Sequence, residues 1–227
     1  MLYIIPTPIG NLEDITYRAV KILQSVDYIL AEDTRKTQIL LRHYDIDTRT
    51  ISYHQHNEHR KVSSVISHLK EGFRIAIVSD AGTPGISDPG FLLVRACVQE
   101  NIPITSLPGA SALTTALVAS GAPSDRFYFG GFLPHKKGRK GKWEDLASRE
   151  ETIVLYESPY RIKRLVREGI THMGGCRKLC IAREVSKIHE EYLRGTFEEL
   201  NQLLEDRKEL RGELTVIIHP SENDTQK

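Results

Sequence analysis

Charged and imidazole side chains stand at five places in this 227-residue chain, each beside a short apolar run. Glu32, Asp33 and Arg35 follow the run Tyr28-Ile-Leu-Ala31. A cation next to two acids suits proton transfer or the stabilisation of developing negative charge, and equally well a surface ion pair. His54, His56 and His59 form H-x-H-x-x-H with Glu58 alongside. Neutral imidazoles and a carboxylate are good zinc ligands. On a strand end followed by a helix start, however, the three rings need not converge, and a polar, substrate-facing loop is the better reading; no metal is expected. Asp80 lies in Val78–Gly90, which holds Gly82, Gly85, Gly90, Pro84 and Pro89. Glycines there let backbone approach a ligand closely and prolines hold the path rigid, although a plain surface turn is the alternative. Arg183 and Glu184 end another apolar run, and Glu213 opens the last one.

The elements that must position these groups alternate in the first half. Strands are predicted near 2–5, 27–31, 50–52, 74–78 and 102–106, with helices near 15–26, 34–43, 58–71 and 89–100. Glu13 or Asp14 is the expected cap of the first helix. This alternation predicts a parallel sheet covered on both faces. Three of its strands run into Pro/Gly loops, Pro6–Asn11, the Asp80 loop and Pro108–Ser111, at the carboxyl ends where open α/β sheets place ligands. None has the GxGxxG or GxxxxGK[ST] spacing of the common nucleotide-binding loops. After a helix near 110–119 the pattern changes to strands near 126–130, 152–156, 179–183, 190–195 and 212–218, with helices near 159–171 and 196–206. More strands and fewer crossovers predict a mixed sheet. The boundaries are drawn as 1–108, 109–220 and a polar tail over 221–227.

Hydrophobic content of 40% and charged content of 27% describe a folded, soluble protein. No apolar run approaches the ~20 residues of a membrane span, and the N-terminus lacks a secretory pattern. Cys97, Cys176 and Cys180 read as reduced thiols, which implies a cytoplasmic protein. A net charge of +1 does not announce a nucleic-acid binder, but Lys136, Lys137, Arg139, Lys140 and Lys142 fall within eight residues, broken by two glycines. By itself that strip reads as a solvated, mobile loop.

Six segments occur in order: Ile5-Pro-Thr-Pro-Ile-Gly-Asn-Leu12, Ala31-Glu-Asp-Thr-Arg35, Ser52-Tyr-His-Gln-His-Asn-Glu58, Ser79-Asp-Ala-Gly-Thr-Pro84, Leu107-Pro-Gly-Ala-Ser111 and Gly131-Phe-Leu-Pro134. Together they resemble the 16S ribosomal RNA cytidine 2′-O-methyltransferases of the tetrapyrrole methylase superfamily, from about residue 2 to residue 218. The resemblance implies a two-domain α/β fold, an N-terminal parallel sheet and a C-terminal mixed sheet with a cofactor cleft between them. It implies S-adenosylmethionine as cofactor, 16S rRNA in the small ribosomal subunit as partner, and a homodimer. By resemblance Pro8 and Asp80, Ala81, Gly82, Thr83 and Pro84 contact the methionine half of the cofactor, with Ser111 and Ala112 beside it. Phe132, Leu133, Tyr156, Arg183 and Glu213 enclose the adenosine. Glu32, Asp33, Arg35, His54 and Glu184 are the candidates for handling the proton of a ribose hydroxyl, and the sequence does not choose among them. The position of the lysine-rich strip after Gly131–Pro134 points its five cations at phosphates. Family members often carry a further helical C-terminal segment thought to help grip RNA; this sequence ends soon after its last predicted strand. Two other readings stand beside this one: methylation of a small tetrapyrrole, and a non-catalytic RNA-binding homologue.

Overall fold

A computed structural model describes residues 1–207 and 209–221. The chain divides into two compact units, Met1–Ser111 and Ala112–Lys227. The tail expected over 221–227 lies, beyond Ser221, outside the described residues.

The first unit alternates strand and helix throughout: β1 (Leu2–Ile4), α1 (Tyr17–Ser25), β2 (Tyr28–Ala31), α2 (Thr34–His43), β3 (Thr50–Ser52), α3 (Glu58–Lys70), β4 (Ile75–Val78), α4 (Phe91–Gln99) and β5 (Ile104–Ser106). The sheet order is β3-β2-β4-β1-β5 and every pairing is parallel. β2 and β4 are buried along their whole length, as strands covered on both faces must be. The period of two along each strand splits the core. Leu2, Tyr28, Leu30, Ile75 and Ile77 meet Val65 and Leu69 of α3 and Leu93 and Cys97 of α4. Tyr3, Ile29, Ala31, Ala76 and Val78 meet Ala19 and Leu23 of α1 and Leu41 of α2 on the other face. One detail departs from expectation: Thr16, not Glu13 or Asp14, caps α1, its Oγ1 accepting from Ala19 N at 3.1 Å. The two acids sit in a short 3-10 turn, Leu12–Asp14, capped by Asn11.

The second unit contains α5 (Ala112–Ser120), β6 (Phe127–Phe132), α6 (Arg139–Ala147), β7 (Thr152–Glu157), α7 (Ile162–Met173), β8 (Lys178–Arg183), β9 (Glu191–Thr196), α8 (Phe197–Asp206) and β10 (Leu214–Ile218). Its sheet is mixed, in the order β6-β7-β10-β8-β9, with β6 parallel to β7 and the other pairs antiparallel. α6, α7 and α8 supply Trp143, Leu146, Leu165, Val166, Phe197 and Leu200 to the core over one face. α5 packs on β8 and β10. Thr196 and Glu199 start α8 as a capping box, each side chain accepting from the other's backbone N–H. α6 corrects the reading of the lysine-rich strip as a loop: its second half is helix.

Gly169 sits where α7 crosses α8, and a Cβ there would run into the buried ring of Phe197. Gly169→Ala should lose stability: overpacking costs about 1–3 kcal/mol, against the ~1 kcal/mol that alanine gains over glycine in a helix. Chemical denaturation reads the balance, and an unshifted or raised midpoint would mean that the α7–α8 contact relaxes freely.

Candidate functional site

Five strands of the first unit run parallel, so their carboxyl ends and the loops that leave them share one edge. Those loops are bonded to one another. Thr7 and Gly82 form a reciprocal pair, each backbone N–H donating to the other's carbonyl at 2.9 Å. Thr7 Oγ1 donates to Ser79 O at 3.0 Å, and Thr83 Oγ1 to Ala110 O at 3.1 Å. Gly82 adopts φ +78°, a conformation open chiefly to glycine, and a Cβ on Gly109 would meet Pro6 at 2.7 Å. Pro8, Asp80, Ala81, Gly82, Thr83, Pro84 and Ser111 therefore belong to loops held together by backbone and hydroxyl hydrogen bonds, whereas Ala112 opens α5 in the second unit.

The loop after β2 joins through Asp80, whose Oδ1 accepts from Asp33 N at 2.9 Å and whose Oδ2 pairs with Lys36 Nζ at 2.7 Å. Asp33 caps α2 by accepting from Arg35 N at 2.9 Å, and it grips the Arg35 guanidinium from Nε at 3.1 Å and Nη2 at 2.8 Å. The Arg35 side-chain bond, then its backbone N–H, holds the Asp33 carboxyl down to about 2. Asp33 is thus a fixed anion at neutral pH. Glu32 behaves oppositely: burial first, then the Asp80 charge, raises its pKa, against the nearby Lys36 and His54. His54 Nε2 lies 3.1 Å from Asn57 Nδ2, its backbone N–H donates to Asn57 Oδ1 at 2.9 Å, and its Nδ1 is buried without a hydrogen-bond partner. An Nε2 that accepts from the amide leaves the ring proton on Nδ1, a buried donor without an acceptor.

Asp88 was not singled out by its residue type, yet it belongs to this edge. Burial, followed by the Glu32 charge, pushes its carboxyl up to about 7; the Ser79 hydroxyl opposes the shift and Asp80 adds to it. No pattern in a Pro/Gly loop marks a carboxyl for burial, so nothing in the sequence flagged it.

In the second unit the ends of β6, β7 and β8 and the start of β10 form one edge of the mixed sheet, Phe132 opposite Tyr156, and Leu214 opposite both Glu157 and Arg183. Phe132 is exposed and its ring lies 5.6 Å from that of Tyr156. Leu133 has its side chain buried in the core with Trp143 and Leu146, which leaves its backbone for any ligand contact. Arg183 Nε donates to Arg211 O at 2.6 Å and its Nη1 to His189 O at 3.2 Å. Glu184, at φ +51°, accepts from Lys187 Nζ at 2.9 Å and from Glu213 N at 2.8 Å. Burial opposes ionisation there, but Lys187 and that amide win and lower its pKa. A carboxylate held ionised by two donors suits bracing the β10 entry better than accepting a substrate proton. Glu213 faces solvent, 3.1 Å from Lys187.

The basic strip separates into two kinds of residue. Arg139 is only 3% exposed. Its Nε donates to Glu168 at 2.7 Å and its Nη1 to Pro134 O at 2.9 Å, while Trp143 Nε1 donates to the same Glu168 at 2.8 Å. Lys142 bonds Tyr128 OH and pairs with Asp145 at 2.9 Å. Both are structural cations and are set aside as phosphate contacts. Lys136, Lys137 and Lys140 remain at the surface. Among the described residues no group of three or more His, Cys, Asp or Glu stands in a metal-holding arrangement. No helix there is long and apolar enough to cross a membrane.

The Asp88 environment generates a pH dependence. A carboxyl whose pKa rises on folding from 3.8 to about 7 binds its proton more tightly in the folded state. Its favourable contribution is complete below about pH 4 and is lost as the pH rises towards 7. Asp88→Asn should therefore raise the melting temperature over the parent protein at pH 8, and the gap should narrow as the pH falls below 7 and close by about pH 4. A gap independent of pH would show that Asp88 ionises normally.

The sequence model for "Tetrapyrrole (Corrin/Porphyrin) Methylases" matches residues 1–201. A Hydrogenobaculum protein named ribosomal RNA small subunit methyltransferase I is 47% identical over 218 residues, 96% of this chain and 94% of its own. The protein of that name from Synechocystis is 50% identical over 199 residues, 87% and 71% of the two chains. Among solved structures, a cobalt precorrin-4 methyltransferase superposes with a TM-score of 0.70 at 19% identity, covering 96% of this chain and 94% of its own. A Thermus thermophilus uroporphyrin-III C-methyltransferase complexed with S-adenosylhomocysteine gives 0.65 at 16%, covering 96% of each. The parallel sheet with its bonded carboxyl-end loops and the mixed sheet that follows are the two halves of that fold, and the chain belongs to the tetrapyrrole methylase family, within its ribosomal RNA small subunit methyltransferase I branch.

Proposed function

We propose that this protein transfers a methyl group from S-adenosylmethionine to ribosomal RNA of the small subunit, at the 2′-hydroxyl of a cytidine in 16S rRNA. The observation that carries the reading is identity near 47% along 96% of the chain with a protein named ribosomal RNA small subunit methyltransferase I, and the cytidine 2′-hydroxyl follows the resemblance of the six motifs. The small-tetrapyrrole alternative draws on the family's name and on structures at 19% identity or below, and these speak for the family and the fold.

The bonded loops of the first unit fit the cofactor. Gly82, at φ +78°, offers backbone without a side chain, and Glu32, Asp80 and Asp88 make the surroundings negative, as a sulfonium requires. When bound, S-adenosylmethionine supplies a methyl on a cationic sulfur that departs as a neutral thioether. What remains for the protein is to align the ribose oxygen and receive its proton. Asp33 and Glu184 are held ionised by their donors and are poor receivers of a proton. Glu32 and Asp88, both raised by burial, are the carboxylates tuned towards neutrality, and Glu32 is the base of choice because it follows β2 directly. Lys136, Lys137 and Lys140 supply phosphate contacts.

Labelled methyl should pass from S-adenosylmethionine to assembled small subunits, and not to a tetrapyrrole offered in parallel, with the label recovered as 2′-O-methylcytidine. Glu32→Gln should lower turnover by about 100-fold or more while cofactor affinity by calorimetry holds within a few fold. Label on the tetrapyrrole alone would overturn the substrate, and undiminished turnover in Glu32→Gln would remove Glu32 as the base.

A further inference from the structure

The second unit carries a feature that neither the cofactor nor the proton chemistry uses. Between the turn after β7 and the approach to β10 lies a notch of about 350 Å³ lined by Pro159, Tyr160, Glu209, Leu210 and Arg211. Tyr160 is 88% exposed, which leaves its ring face open to solvent. Its backbone N–H donates to Ser158 Oγ at 3.3 Å, and Pro159 precedes it, so the turn holds the ring out. Across the notch, Glu209 grips the Arg211 guanidinium from Nε at 2.9 Å and Nη2 at 2.8 Å. The Arg211 carbonyl is fixed by Arg183 Nε at 2.6 Å. Both walls are therefore tethered. The Glu209 pairing also neutralises Arg211 while leaving the flat face of its guanidinium available for stacking.

This notch adjoins the surface lysines. Arg161, the residue after Tyr160, reaches the His135 ring with Nη1 at 2.6 and 3.0 Å, and Arg164 Nη1 donates to His135 O at 3.1 Å. His135 leads directly into Lys136 and Lys137. An exposed aromatic ring, a guanidinium paired with Glu209 and the surface lysines Lys136 and Lys137 are thus linked through the Arg161–His135 contact. A phosphate alone would not use the ring, and an apolar peptide would not use the cations. A single-stranded nucleotide uses both, its base stacking in the notch and its phosphates on the lysines.

We infer that Tyr160 and Arg211 form a stacking notch for one unpaired base of the RNA, next to phosphate contacts from Lys136 and Lys137. The inference rests on the RNA reading above and adds to it a recognition mode: an unpaired nucleotide rather than a duplex. Full-length protein is titrated with an unstructured RNA decamer carrying a central 2-aminopurine, and with the same decamer in a duplex, at several salt concentrations. Tyr160→Ala should weaken single-strand binding about tenfold and remove the change in 2-aminopurine fluorescence on binding, with the salt slope kept. Tyr160→Phe should bind like the parent protein. Lys136→Ala with Lys137→Ala should instead flatten the log–log salt slope, by about 0.7 per lost contact. Unchanged binding in Tyr160→Ala, failure of the parent protein to bind the decamer, or loss of S-adenosylmethionine affinity in Tyr160→Ala would each overturn the notch. Methyl transfer to small subunits by the parent protein is scored separately. Its absence would sink the proposed function while leaving a measured stacking notch in place, and its presence with an inert Tyr160 would do the reverse.

Discussion

The reciprocal backbone pair between Thr7 and Gly82 is the constraint on which the first unit's functional edge depends. A parallel sheet fixes where strands end but leaves the loops beyond them free to diverge. Here the loops after β1 and β4 are joined by two 2.9 Å hydrogen bonds, and Thr7 Oγ1 adds a third to Ser79 O. A side chain at position 82 would have to adopt φ +78° with its Cβ against Ile9. The glycine that permits the pairing also leaves bare backbone at the point where, in the proposed function, the cofactor approaches. One residue thus serves architecture and access together. The β2 loop is added by Asp80 through the Asp33 amide, and the β5 loop by Thr83 through Ala110 O.

That edge concentrates carboxyl groups, and their environments push them apart. Asp33, gripped by Arg35, is a permanent anion near the surface. Glu32 and Asp88, deeper and close to Asp80, are raised because burial and like charge both oppose ionisation. The same three acids that would draw in a sulfonium therefore include groups with an affinity for a proton. Departure of the methyl replaces a cation with a neutral thioether, and the mutual repulsion among the acids then favours proton uptake. In the proposed reaction, electrostatic demand and proton demand change in the same direction.

Much of this was legible in the residues. β2 and β4 are uninterrupted apolar runs, and their closure by Glu32 and Asp33 in one case and by Asp80 with the Pro/Gly segment in the other marks strand ends without any structure. The helix starts expected near 34, 58 and 196 agree with the observed Thr34, Glu58 and Phe197, although only Asp33 and Thr196 cap with their side chains and Asn57 does not. What stayed hidden depended on partners far away in sequence. α6 looks like loop because Gly138 and Gly141 interrupt a run of cations, yet Arg139 is buried against Glu168, 29 residues further on. Leu133 reads as part of a ligand motif but faces the core. Asp88 sits in a turn-like loop, and its raised pKa comes from burial and from Glu32 and Asp80, set by the fold rather than by its neighbours in the chain.

A cationic cofactor and a polyanionic RNA make opposite electrostatic demands, and in the proposed function the carboxylates of the first unit meet the one and the surface lysines of the second unit the other. Carboxylates gather at the carboxyl edge of the first sheet. In the second unit most cations near the lysine strip are already committed: Arg139 to Glu168, Lys142 to Asp145, Arg161 to Glu157 and Arg164 to Glu168. These pairs stiffen α6 and α7 and contribute little net charge. The free charge left on that surface is therefore small and local, at Lys136 and Lys137, with Lys140 partly shared with Glu144. Two or three phosphate contacts give modest, salt-sensitive affinity and no sequence information. Discrimination among nucleotides must then come from a surface that touches a base, and the exposed Tyr160 ring above the tethered Arg211 has the flat geometry to do that.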